Sequence, residues 1–98
     1  MLRLEWDTEK AAANLRAHGV SFDEASTAFA DPLGKIVDDP RHSVDELRYV
    51  LLGHSERERL LAVMFTDRGD TIRLISARKA TRRERRAYEE GDKGRRER

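Results

Sequence analysis

The spacing of apolar positions changes along this chain, and each change marks an element. Residues 2–5 form a short extended piece. An alanine-rich stretch of high helix propensity then predicts a first helix over about 8–18. Asp7 is its N-cap, and Glu9 places negative charge in the first turn, where the helix dipole favours it. Gly19 sits where a left-handed residue usually ends a helix. Ser21 and Glu24 spell a capping box, and Phe22, Ala25, Ser26 and Phe29 share one helical face. These predict a second helix over about 22–30, stopped by Asp31-Pro32. Four extended segments follow, at about 35–38, 47–52, 59–66 and 71–77. The third, RLLAVMFT, is continuously apolar and reads as a central strand covered on both faces. Asp67-Arg68-Gly69-Asp70 is a hairpin turn with glycine at a position suited to positive φ. Thr81 and Glu84 form a second capping box, opening a third helix over about 82–90 that Gly91 can end.

This order predicts an α+β fold: two N-terminal helices, an antiparallel four-stranded sheet and a C-terminal helix, with the helices mainly on one face. The 98 residues make one domain over 1–91, followed by a basic tail at 92–98 with no apolar content and an expectation of disorder. The chain has no cysteine and therefore no disulfide framework. No apolar run approaches the roughly 18 residues of a membrane span, and no secretory signal opens the chain. A soluble, cytoplasmic protein is expected.

Charge changes the picture more than composition does. Residues 1–47 carry five Lys/Arg against ten Asp/Glu, whereas residues 48–98 carry fifteen against nine. Such asymmetry points either to nucleic-acid contact or to a solvated basic end. The basic residues concentrate in Arg73, Arg78, Lys79, Arg82, Arg83, Arg85 and Arg86. Arg82 and Arg83 lie in the first turn of a helix, where the dipole disfavours cations. An anion drawn to free backbone N–H groups and guanidinium groups accounts for that cost; so does compensation by Glu84.

Glu84 and Tyr88 share a helix face, and Arg78 ends the preceding strand. A carboxylate, a phenol and a guanidinium are groups that RNA cleavage needs: a base for the 2′-hydroxyl, an acid for the leaving oxygen and a cation for the phosphorane. The alternative is structural, with Glu84 as a cap and Tyr88 docking the helix. Lys10, Asn14 and His18 recur every four residues on the first helix, as a polar stripe with acid–base potential or as a plain solvated face. Arg73 and Arg78 fall on opposite faces of a regular strand, so both line one site only if a bulge intervenes. His18, His42 and His54 show no metal-ligand spacing, the acidic loop DDPRHSVDE lacks a calcium-loop pattern, and no cofactor is expected. Nucleotide-binding glycine loops and the hydrolase elbow are absent from the sequence.

Two stretches, WDTEKAAANLRAHGVSFDEA at 6–25 and IRLISARKATRRERRAYEEG at 72–91, resemble in order and spacing the BrnT toxins of bacterial type II toxin–antitoxin systems. The resemblance implies a RelE-like fold and an endoribonuclease that cuts RNA, free or on the ribosome, without a metal and so inhibits translation. It implies neutralisation by a BrnA-like ribbon–helix–helix antitoxin, in a heterotetramer of two toxins and two antitoxins that meets operator DNA only through the antitoxin. It places Arg78, Glu84, Tyr88 and His18 as catalytic candidates and Lys10, Arg48 and Arg73 as RNA contacts; the basic segment itself adds Lys79, Arg82 and Arg83 as RNA contacts. A non-catalytic RNA- or ribosome-binding module and a structural co-repressor remain the rival readings.

Overall fold

In the computed structural model, residues 2–39 and 47–96 are described, with side chains described through Glu90. His42, Asp45 and Glu46 of the acidic loop and the last two residues lie outside that range. The elements are β1 (Leu4–Glu5), α1 (Thr8–His18), α2 (Phe22–Thr27) continued by a 3-10 turn (Ala28–Ala30), β2 (Lys35–Asp38), β3 (Arg48–His54), β4 (Leu60–Asp67), β5 (Ile72–Lys79) and α3 (Arg82–Arg96).

The local signals act as their chemistry requires. Asp7 Oδ1 accepts the N–H groups of Glu9 and Lys10 at 2.7 and 3.2 Å, and Gly19 closes α1 at φ 70°. Gly69 takes φ 89° in the β4–β5 turn. Thr81 and Glu84 cap each other reciprocally, at 2.9 and 3.1 Å. At α2 only half of the expected box is made by Ser21, which accepts the Glu24 N–H; the Glu24 carboxylate turns instead to Arg59 and Ser55. The third helix does not stop at Gly91 but continues to Arg96, so residues 92–96 of the expected tail are helical. A glycine inside a helix costs roughly 1 kcal/mol relative to alanine, which weakens a helix without obliging it to end.

The sheet has five strands, not four, in the order β1-β5-β4-β3-β2, and it is mixed. β1 runs parallel to β5, with Leu4 opposite Ile72 and Glu5 opposite Arg73, while the other neighbours are antiparallel. A two-residue strand has no periodicity to read, and its partner lies most of the chain away.

Helices cover both faces, which corrects the one-sided expectation. Val20, Phe22, Ala25 and Ala28 pack against Leu51, Leu61, Val63, Phe65, Leu74 and Ala77. On the other face Tyr88 of α3 closes over Val50, Leu52, Leu60, Ala62 and Met64. This two-sided burial is why β4 is apolar without interruption: alternate residues feed different cores.

Asn14 ties α1 to the sheet. Its buried amide donates to the carbonyls of Val20 and Ala77 at 2.9 and 2.8 Å, and its Oδ1 accepts the Ala77 N–H at 3.1 Å. The side chain thus satisfies both polar groups of a β5 residue beyond the end of β1. In β5 the pairing steps from Ser76 opposite Met64 to Leu74 opposite Phe65, leaving Ile75 as a bulge. Arg73 and Arg78 pair with Thr66 and Ala62, which share one side of β4, so the bulge brings both arginines to the α3 face. Among the described residues no helix is long and apolar enough to cross a membrane.

Candidate active site on the α3 face of the sheet

Arg78, at the end of β5, reaches the first turn of α3. Its Nη1 and Nη2 donate to Glu84 Oε1 and Oε2 at 2.7 and 3.0 Å, a two-pronged pair. Glu84 Oε1 also accepts the Thr81 N–H. The carboxylate therefore caps the helix and aims the guanidinium at once. The Arg78 hydrogen bond, reinforced by Thr81 against partial burial, holds the Glu84 carboxyl below the usual range, and Glu84 in turn raises Arg78. Glu84 is thus ionised and a weaker base than a free glutamate. Arg78 remains about one-third exposed, and its guanidinium has more N–H donors than these contacts use.

One helical turn on, Tyr88 leads to two residues that sequence reasoning left out. The Tyr88 hydroxyl donates to Asp31 Oδ2 at 2.7 Å and lies 3.1 Å from His54 Nδ1. Asp31 also accepts the backbone N–H of His54 at 2.8 Å and that of Leu33 at 2.9 Å. Burial opposes ionisation of Asp31, but the hydrogen bonds from His54, Tyr88 and Leu33 together outweigh it and hold the carboxyl below its usual range. The His54 ring stacks edge-on against Tyr88, with centroids 5.1 Å apart, and lines an open groove with Thr27, Pro32 and Glu56. Tyr88 is buried, so its ring docks α3 and offers no open face to a base. No sequence spacing joins Asp31, His54 and Tyr88; the one available signal was a polar histidine just beyond the apolar run Tyr49–Leu52.

The other candidates divide between two places. Arg73 is paired with Glu5 of β1 at 2.9 Å, and Arg48 lies beside Asp39, with Nε 3.6 Å from Oδ2. Both flank Thr66 across three strands, at the end of the α3 face remote from Arg78. Lys79, Arg82 and Arg83 are exposed around the start of α3. Lys10 and His18 line a separate groove between α1 and the Ile75–Ser76 bulge, while Asn14 of the same stripe turns inward to its structural bonds. The structure thus joins Arg78 to Glu84 and Tyr88 to the same helix face, and sets His18 apart.

A basic, arginine-built site on one face of an α+β sheet is an arrangement suited to phosphodiester chemistry. Residues 6–84 match the family described as the ribonuclease toxin, BrnT, of type II toxin–antitoxin systems, and the chain belongs to that family. The fold agrees with the crystal structure of the Brucella abortus ribonuclease toxin BrnT: the TM-score is 0.64 at 21% identity, over 84% of this chain and 100% of that one. No curated protein matches the sequence. Membership gives the class of the molecule, a ribonuclease toxin whose partner is an antitoxin.

Proposed function

We propose that this chain is a metal-independent endoribonuclease that cuts by attack of a 2′-hydroxyl on the adjacent phosphorus, leaving a cyclic phosphate and a 5′-hydroxyl, and that cleavage inhibits translation. The observation that carries the reading is the Arg78–Glu84 pair at the start of α3. A guanidinium fixed by a carboxylate is preorganised to meet the charge that develops on the phosphorane. Glu84 is ionised, and its Oε2 takes a single contact from Arg78, so it can accept the 2′-hydroxyl proton. Arg48 and Arg73 hold neighbouring phosphates: Arg73 sits four β4 positions from Arg78, about 13 Å along the strand. Lys79, Arg82 and Arg83 extend the basic track, and Lys10 and His18 offer a further contact beside the bulge. A BrnA-like ribbon–helix–helix antitoxin neutralises the toxin in a complex of two toxins and two antitoxins, reaching operator DNA through the antitoxin alone.

The test is cleavage of a defined RNA by antitoxin-free protein in EDTA, with Arg78→Ala alongside and product ends read by end-labelling. Cyclic-phosphate ends are expected from the wild-type protein, with a loss of at least about 100-fold in the variant. Intact RNA with the wild-type protein, both alone and on translating ribosomes, supports a binding-only module instead.

A further inference from the structure

Once Glu84 is committed to Arg78 and the 2′-hydroxyl, the reaction still lacks a group to protonate the leaving oxygen, and the part-exposed His54, held by Tyr88 one turn along α3 from Glu84, is the candidate. Tyr88 directs its proton to Asp31, so the phenolic oxygen is left to accept from His54 Nδ1–H. That hydrogen bond sets the ring tautomer and leaves Nε2 for solvent or substrate. The side chain is 40% exposed, whereas the Asp31 behind it is only 8% exposed and lies 3.7 Å from Nδ1. Glu84 and Tyr88 are one turn apart on α3, roughly 5–6 Å between Cβ atoms, so the contacts they make with Arg78 and with His54 start from adjacent positions of one helix face.

We propose that His54 is the general acid of RNA cleavage, with Tyr88 and Asp31 as positioning residues that hold its ring. This deepens the ribonuclease reading above and rests on it. The 2′-oxygen–phosphorus bond forms as its proton passes to Glu84. The bond from phosphorus to the 5′-oxygen breaks, its electron pair stays on that oxygen, and the Nε2 proton of the imidazolium form of His54 joins it, leaving the neutral ring protonated at Nδ1. Solvent then reprotonates the imidazole and takes the proton from Glu84.

A leaving group that needs no proton separates this role from a structural one. The full chain, free of antitoxin, is assayed on a defined RNA and on the same RNA with sulfur replacing the 5′-oxygen at the cut site. His54→Asn is the variant of choice, because its amide N–H can keep the Tyr88 contact while Nε2 is lost; His54→Gln is the second. Both variants are expected to slow the oxygen substrate about 100-fold or more, and to cleave the sulfur substrate within a few-fold of wild type. Arg78→Ala loses both substrates. Equal slowing of both substrates by the His54 variants, or no slowing, overturns the assignment while leaving the ribonuclease reading intact. Failure of the wild-type protein on both substrates overturns the ribonuclease reading, and the assignment falls with it.

Discussion

Glu24 is a charge the fold has chosen to bury, and it survives there because Arg59 wraps it. The side chain of Glu24 is 4% exposed and that of Arg59 is 26% exposed. Arg59 donates from Nε and Nη2 to the carboxylate and from Nη2 to the Gly19 carbonyl, so one side chain fastens the β3–β4 turn to α2 and to the end of α1. Without Arg59, the buried Glu24 keeps only the Ser55 hydroxyl and the more exposed Arg57, 3.7 Å away. Arg59→Ala is therefore expected to destabilise the protein by about 3 kcal/mol, read as a lower urea midpoint at unchanged slope. An unshifted midpoint means the pair is dispensable. Glu24 is held below its ordinary value of 4.5, chiefly by the Arg59 hydrogen bond; Glu84 and Asp31 are also depressed. For a depressed carboxyl the folded state binds fewer protons, so its stabilisation is complete above the unfolded value and disappears as pH falls through the folded one. Stability should hold down to about pH 4.5 and then decline, and Glu24→Gln should decline less steeply over the same acid range.

At the level of elements, β5 is the strand on which the site depends, and Asn14 supports it where β1 ends. Asn14→Ala removes three hydrogen bonds and leaves the Ala77 N–H and C=O and the Val20 C=O buried without that partner. A loss of about 2–3 kcal/mol is expected, together with faster amide exchange at Ala77 than at Val63 on the central strand. Uniform exchange across both positions would show that α1 does not support this edge. The helices and the four longer strands could be read from caps, turns and apolar spacing, since those signals are local. β1 was legible only as an extended piece at 2–5; its place in the sheet was not, because two residues carry no period and the partner strand lies far along the chain. The Glu24 half of the first capping box also escaped, because a carboxylate's choice between its own helix and a distant arginine is made by tertiary packing. Arg78 and Glu84 were visible as neighbours in sequence, whereas His54 and Asp31 reach Tyr88 only after the chain has folded.

Across the whole molecule, the two faces of the sheet are covered differently. α1 and α2 seal one side around Phe22 and Leu61, both almost fully buried. The other side carries α3 over one end of the sheet, and the arginines of β3 and β5 surround what remains. The acidic first half of the sequence and its basic second half describe this only coarsely, because Glu5 and Asp31 cross over to serve groups on the basic side.

The bulge at Ile75 gives β5 something akin to a reading frame. Arg73 and Arg78 are five positions apart, an odd interval that would put one guanidinium inside the molecule if every residue were counted. Ile75 stands outside the count and restores the phase. Lengths on either side of it are therefore not interchangeable: losing one residue there inverts half the strand, whereas losing two preserves which side chains share the α3 face with Arg78 and which meet the core beneath α1 and α2.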